Sequence, residues 1–301
     1  MTTTAAPTEG RIPFQGHETW YRITGDLHAG PAPLVVLHGG PGCTHDYLVN
    51  LAAFADTGRP VVHYDQVGNG RSTHLPDAPP DYWTPELFVA ELENLLAGLG
   101  IADRYIVLGQ SWGGMLAAEH AVRRPAGLRG LVIADSPASM DLWSAAAAQL
   151  RAELPRDVDE TLARHEAAGT TDSQEYQDAM NVFYDRHVCR VKPMPDFVAA
   201  TFAAMDADPT VYHTMNGPSE FHVIGSLRGW SIVDRLGSIT VPTLLVSGRY
   251  DEATTDTVAP FFHGIPDVRW SVFGESSHMP HVEEADRFRA VVNGFLSTLD
   301  G

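Results

Sequence analysis

Gly109-Gln110-Ser111-Trp112-Gly113-Gly114 decides the fold. An apolar run, Tyr105 to Leu108, precedes it and reads as a buried strand. Met115 to Val122 follows and reads as a helix. Strand, G-x-S-x-G turn and helix in that order form a nucleophile elbow. At Gly109 and Gly113 the turn is too tight for side chains, so glycine stands where backbones nearly touch. Ser111 is then held at the tip, its hydroxyl exposed and close to a helix N-terminus. The plainer alternative is a glycine-rich strand-to-helix turn that happens to contain serine.

Outward from this turn the chain alternates. Residues 11–28 alternate weakly around Phe14, Trp20, Tyr21 and Ile23, which predicts an antiparallel hairpin at a sheet edge. Leu34 to Leu37 is a buried strand that runs into His38-Gly39-Gly40-Pro41-Gly42. Such a loop presents free backbone N–H groups, which suit a developing negative charge. Tyr47 to Ala55 reads as a short helix and Pro60 to Tyr64 as the next strand. The loop from Asp65 to Ser72 packs near the glycine loop, with Asp65 tying down backbone. Thr84-Pro85-Glu86 opens a helix that runs to about Leu99 and stops at Gly100. Leu128 to Ala134 is the sixth strand. Strands alternating with helices predict a mostly parallel sheet with helices on both faces.

The period breaks over 138–232. Helices are expected at Asp141 to Leu154, Val158 to Ala168, Gln174 to Arg190 and Asp196 to Asp206, without intervening strands. This block is either an ordinary helical subdomain or a cap over the Ser111 pocket, and both readings can hold. Alternation resumes with Val241 to Ser247, a helix from Thr255 to His263, a last strand from Val268 to Phe273, and a terminal helix at about 281–298. The expected division is a core of 1–137 and 233–301 with a helical cap of 138–232. The fold class is α/β, of the α/β-hydrolase type, with the cap inserted after the sixth strand.

Composition excludes several functions. Lys plus Arg is 20 against 38 for Asp plus Glu, a formal charge of −18. An acidic surface repels nucleic acid and anionic membranes, so neither is an expected partner. It favours cationic substrates, though acidity also simply keeps proteins soluble. Two cysteines, Cys43 and Cys189, make neither a disulfide framework nor a zinc site, and no metal or cofactor is expected. Met1 to Gly10 lacks the basic and apolar regions of a secretory signal, and no apolar run is long enough to span a bilayer. A cytoplasmic location is the expectation. Oligomeric state is left open.

Ser111, Asp251 and His278 appear in the chain order of a hydrolase triad. Each lies just past the C-terminal end of a predicted strand, the edge of a parallel sheet where ligands gather. A serine hydroxyl is almost never ionised near neutral pH and needs a base. His278 takes its proton and later returns it to the leaving group, while Asp251 fixes the imidazole tautomer. Asp135 also follows a strand and is the rival acid; the Gly248-x-x-Asp251 loop favours Asp251. His281 and His38 are rival bases. His38 sits in the glycine loop and more naturally orders its backbone, and His281 begins a helix. The oxyanion donors are expected to be the backbone N–H groups of Gly40 and Trp112. The Trp112 side chain is a pocket wall or core filler.

Four segments together, His38 to Gly42, Asp65-Gln66 with Gly68, Gly70 and Ser72, Gly109 to Gly114, and Gly248 to Asp251, resemble the proline iminopeptidase family of α/β-hydrolases. The resemblance covers nearly the whole chain. It implies hydrolysis of the bond after an N-terminal residue, with a tricorn-interacting aminopeptidase and L-amino-acid amidases among the relatives. It also implies acidic side chains that capture the substrate's free ammonium. Asn216 to Phe221 looks like the cap motif that supplies one, here Glu220, and Glu252 beside Asp251 looks like the second. A desolvated ammonium needs opposed charge and acceptors. The plainer readings are a solvated loop residue for Glu220 and a helix-start acid for Glu252. The family pattern has Arg after Asp-Gln where this chain has Val67, a lean toward a broader aminopeptidase or amidase. The substrate is therefore a small molecule or short peptide with a free α-amine. The alternative is a carboxylesterase or lactonase that uses the same triad without amine recognition. A non-catalytic binding protein would need a triad member missing, and a dehalogenase or epoxide hydrolase would need Asp where Ser111 stands.

Overall fold

A computed structural model describes residues 6–300. The first five residues of the N-terminal stretch that was read as lacking a secretory signal lie outside it. Eight strands form one sheet: β1 (Thr8–Phe14), β2 (His17–Thr24), β3 (Leu34–Leu37), β4 (Val61–Tyr64), β5 (Tyr105–Gln110), β6 (Leu128–Ala134), β7 (Thr243–Gly248) and β8 (Val268–Phe273). Their order across the sheet is β1-β2-β4-β3-β5-β6-β7-β8. β1 and β2 pair antiparallel, β2 joins β4 antiparallel, and every later pairing is parallel. The mostly parallel α/β sheet expected from the sequence is the one observed. β7 starts at Thr243, two residues later than expected, because Pro242 has no N–H to donate.

The central strands are mostly apolar because both of their faces are covered. Period-two alternation sends Val35, Leu37, Val107, Ile133 and Leu245 to one core cluster. That face is covered by α1 (Pro85–Gly98) and α2 (Trp112–Ala121), whose Phe88, Leu92, Leu95 and Leu116 join the cluster. Leu34, Val36, Ile106, Leu108 and Val132 go to the other face. There they meet a 3₁₀ helix, His45–Thr57, and the C-terminal helix. The 3₁₀ helix replaces the short helix expected at Tyr47 to Ala55 and is longer, bounded by Thr44 and by Gly58 at φ 84°.

Between β6 and β7 lie α3 (Met140–Ala152), α4 (Arg156–Ala168), α5 (Gln174–His187), α6 (Asp196–Ala207) and α7 (Thr210–Met215). The sixth-strand insertion point is as read, and α7 is an addition to the four expected helices. α3, α4 and α5 contribute to a small core of their own with Leu162, Tyr176, Phe183 and Phe221. α6 and α7 belong instead to the two main clusters, through Val198 and through Val211 and Met215.

After β7 come α8 (Thr255–Gly264), then β8, α9 (Pro280–Glu283) and α10 (Ala285–Ser297). The single terminal helix expected at 281–298 is thus two helices, broken at Glu284, whose φ is −128°. The break has a cause. Glu284 accepts hydrogen bonds from Glu275 N–H at 3.0 Å and Ser276 Oγ at 2.7 Å. Glu283 accepts from Ser277 N–H at 2.6 Å and from its hydroxyl at 2.8 Å. Both carboxylates turn back to the loop that carries His278. Among the described residues no helix is long and apolar enough to cross a membrane.

Candidate active site

Ser111 sits between β5 and α2 at φ 57° and ψ −125°, a conformation costly for a residue with a side chain. The turn is closed by contact. A Cβ on Gly113 would lie 2.1 Å from the Leu37 carbonyl, and one on Gly109 2.0 Å from the Gly113 carbonyl. α2 therefore starts against the end of β3, beside the glycine loop. Trp112 and Gly40 keep their backbone N–H groups out of the protein's own hydrogen bonds among the described residues. For Trp112 the reason is general, since the first N–H groups of a helix have no intrahelical acceptor.

Asp251 and His278 come from the loops after β7 and β8. His278 Nδ1 lies 2.7 Å from Asp251 Oδ1, which also accepts the Ala253 N–H at 2.8 Å. Gly248 lets these loops touch, as a Cβ there would meet the Ser277 carbonyl at 1.9 Å. Ser111, His278, Gly40, Gln110, Glu220 and Glu252 line one small cavity. What joins Ser111 to the His278–Asp251 pair is this shared wall rather than a formed hydrogen bond. Such bonds commonly tighten only around substrate.

Matches to known proteins give the family. The model of the α/β-hydrolase fold family matches residues 32–285. A proline iminopeptidase of Heyndrickxia coagulans is 37% identical over 97% of this chain and 97% of its own. The chain belongs to the proline iminopeptidase family of α/β-hydrolases. Two solved structures resemble this member of the family closely. The crystal structure of VinJ has a TM-score of 0.96 at 58% identity, covering 99% of this chain and 100% of that one. Proline iminopeptidase from Mycobacterium smegmatis has a TM-score of 0.90 at 56% identity, covering 97% and 99%.

The electrostatics of this family member separate its histidines. Burial alone would lower His278, but the charge and hydrogen bond of Asp251, with Glu220 and Glu283 further off, raise it above its ordinary value. The rival bases lack such support. His38 is buried and driven down to about 4, its Nε2 accepting the Gln66 N–H at 2.9 Å. His281 is driven down to about 3 by burial, its Nε2 bound to the Tyr47 carbonyl. Asp135, the rival acid, accepts the Gly248 N–H at 3.1 Å. Neither it nor these two histidines is hydrogen-bonded to the His278 ring.

Glu220 and Glu252 meet in the cavity. The Asn216–Phe221 loop is held in place by Asn216 Nδ2, which donates to the Ser219 carbonyl, and by Trp143 Nε1, which donates to the Glu220 carbonyl. The Glu220 carboxylate accepts the Tyr212 hydroxyl at 2.8 Å. Glu252 is 2% exposed, and neither of its carboxylate oxygens has a hydrogen-bond partner. Burial, then Glu220 and Asp251, push its carboxyl well above the usual range. Burial also raises Glu220, against the Tyr212 bond and the His278 charge.

Other residues gave no sequence signal for their roles. The Tyr47 hydroxyl accepts the Gly39 N–H at 2.7 Å and donates to Gln110 Oε1 at 2.5 Å. Gln110 Nε2 donates in turn to the His278 carbonyl at 2.8 Å. One chain of bonds thus ties the glycine loop, the elbow and the histidine loop together. Only the place of Gln110 inside the elbow motif could have hinted at this. Trp112 is core filler and wall at once. Its Nε1 donates to Gln66 Oε1 at 2.8 Å, its ring packs edge-on to Phe88, and it lines the pocket beside Ser111. Asp65 ties down backbone as read, accepting the N–H groups of His45 and Arg71. Val67, where the family pattern has Arg, is fully buried in the core. Among the described residues no group of three His, Cys, Asp or Glu could hold a metal ion.

Proposed function

We propose that this protein cleaves the amide bond after an unblocked N-terminal residue of a short peptide or an amino-acid amide, through an acyl-enzyme on Ser111. His278 Nε2 takes the hydroxyl proton as Ser111 attacks the carbonyl carbon. Asp251 holds Nδ1–H and stabilises the imidazolium that forms. The Gly40 and Trp112 N–H groups receive the oxyanion. Collapse of the tetrahedral adduct breaks the C–N bond, and His278 gives its proton to the departing amine. Water then repeats the sequence on the ester and frees the acid. Glu220 and Glu252 receive the substrate ammonium, and 138–232 serves as the cap that carries Glu220.

The supporting observation is Glu252. A buried carboxyl group with both oxygens unpartnered is costly to ionise unless a cation arrives beside it. It shares the Ser111 cavity with a second acid, Glu220. An esterase or lactonase gains nothing from that pair.

The test is a panel of prolyl, alanyl and leucyl anilides, free amino-acid amides, their N-acetyl forms and a simple aryl ester. Acetylation is expected to abolish turnover of the anilides, and Ser111→Ala to abolish turnover of everything. Equal turnover of blocked and free substrates would overturn amine capture and favour the esterase reading.

A further inference from the structure

Thr201 is the one polar side chain between Asp196 and Asp206 on α6. With Val198 three positions earlier it makes up the buried face of that helix. Val198 packs into the core cluster that also holds the 3₁₀ helix His45–Thr57. Thr201, 1% exposed, reaches the end of the glycine loop. Its Oγ1 accepts the Thr44 N–H at 2.8 Å and stands 3.1 Å from the Thr44 hydroxyl oxygen. Thr44 caps the 3₁₀ helix, so its N–H has no acceptor within that helix. A residue 157 positions away, on the helical insertion, supplies the missing acceptor.

The stretch from Gly40 to Thr44 has little room to give. A Cβ on Gly40, at φ 106°, would lie 2.3 Å from the Gly42 nitrogen and 2.7 Å from the Cys43 nitrogen. The Cys43 N–H donates to the Gly39 carbonyl at 3.3 Å and closes the turn. A Cβ on Gly42 would lie 2.8 Å from Cβ of Tyr212 and 3.0 Å from its nitrogen, so α7 presses on the loop as well. A segment folded this closely on itself passes a shift at Thr44 on to Gly40. The Tyr47 hydroxyl holds the other end, at Gly39. Thr201 also lines the cavity of Ser111, Gly40 and His278.

We propose that Thr201 is a positioning residue: its hydroxyl fixes the far end of the glycine loop and so sets the aim of the Gly40 N–H at the oxyanion. This rests on the acyl-enzyme reading above, in which that N–H receives the oxyanion. Tyr47 from the core and Thr201 from the cap then hold the loop at both ends. The cap acts on the chemistry of every substrate through Thr201, and on amine binding through Glu220. An oxyanion donor has to stand about 3 Å from where the negative charge develops, and a small displacement forfeits much of its effect.

The experiment compares Thr201→Val, which keeps the shape and removes the hydroxyl, with Thr201→Ser, which keeps the hydroxyl, in the full-length protein. The probes are an aryl ester, an alkyl trifluoromethyl ketone and alaninol. Attack of Ser111 on the ketone leaves a tetrahedral oxyanion, whereas alaninol carries an ammonium and no carbonyl. In Thr201→Val, kcat for the ester is expected to fall about 10- to 100-fold with KM nearly unchanged, and Ki of the ketone to rise by a similar factor. Ki of alaninol is expected to stay within about twofold. Thr201→Ser is expected to restore kcat to within about threefold of wild type. A loss of kcat without weaker ketone binding, or with a parallel loss of alaninol binding, would mean general damage to the cavity and would overturn the proposal. Wild-type kcat in Thr201→Val would do the same. If Thr201→Val does not fold, Thr201→Ala is read with the same probes. Ser111→Ala with wild-type turnover would sink the acyl-enzyme reading itself; an inactive Ser111→Ala beside an unimpaired Thr201→Val would sink this inference alone.

Discussion

Oε1 of Glu252 lies 3.7 Å from Nε2 of His278, on the ring edge away from Asp251. The imidazole thus stands between two buried carboxylates. One is hydrogen-bonded to it. The other lies too far for a hydrogen bond and has no partner of its own.

That spacing leads to the first prediction. Glu252→Gln keeps the shape and removes the group that can ionise against an ammonium. KM for free-amine anilides is expected to rise about 10- to 100-fold, the worth of a charge-assisted hydrogen bond. Glu220→Gln is expected to act in the same direction. Steady-state kinetics with an aryl ester should show little change in either variant. Equal losses on both substrate types would point to damaged folding instead.

A second prediction concerns pH. His278 must be neutral to accept the Ser111 proton, and its pKa is raised above 6.5, with Asp251 the leading cause acting upward against burial. Activity on the aryl ester is therefore expected to fall as pH drops through a midpoint above 6.5. Asp251→Asn removes that upward cause and should move the limb to lower pH, with kcat reduced about 10⁴-fold as in other triads. A kcat/KM profile for both proteins checks the sign.

Tyr47 gives a third. Tyr47→Phe leaves the Gly39 N–H and Gln110 Oε1 unpaired in a buried setting. Each orphaned group costs about 1–3 kcal/mol, so a lower melting temperature is expected. Because the Gly39 loop and the His278 carbonyl are both tied through this chain, kcat is expected to fall about tenfold while KM stays close. Thermal unfolding and ester kinetics on the same preparation separate the two effects.

The fourth concerns stability. Glu91 is fully buried, accepting the Thr19 hydroxyl and the Val67 N–H, with its other oxygen unpartnered. Burial pushes its carboxyl up to about 8. The folded protein therefore holds a proton that the unfolded chain releases above about 4.5. Its contribution is complete below that pH and is lost as pH rises through about 8. Glu91→Gln should flatten this part of the curve. The stability of wild type relative to the variant is expected to decline between pH 5 and 8 by up to about 1.4 kcal/mol per unit. Urea unfolding of both proteins at pH 5, 7 and 9 measures it.

The sequence by itself determined the order of elements. Apolar runs bounded by Gly, Pro and capping residues are local signals, and local signals mark strands, helices and the elbow at Ser111. They also placed the helical insertion after the sixth strand. At the terminal helix a boundary slipped because of a long-range contact. The terminal helix breaks at Glu284 because Glu283 and Glu284 are drawn to the His278 loop.

The tertiary structure shows why Asp251, and not Asp135, meets His278. Asp135 and Asp251 both follow central strands, and in the sequence only the Gly248-x-x-Asp251 loop leans toward Asp251. Adjacent parallel strands bring their ends together, and the loop after β7 reaches the imidazole while Asp135 reaches Gly248. The bonds from Tyr47 through Gln110 to the His278 loop, and the isolation of Glu252, belong to the same level. They join residues from 63 to 168 positions apart within each bond, or depend on which partners are missing from a buried space. A periodicity cannot carry such information, because burial and pairing exist only once distant segments are packed against one another.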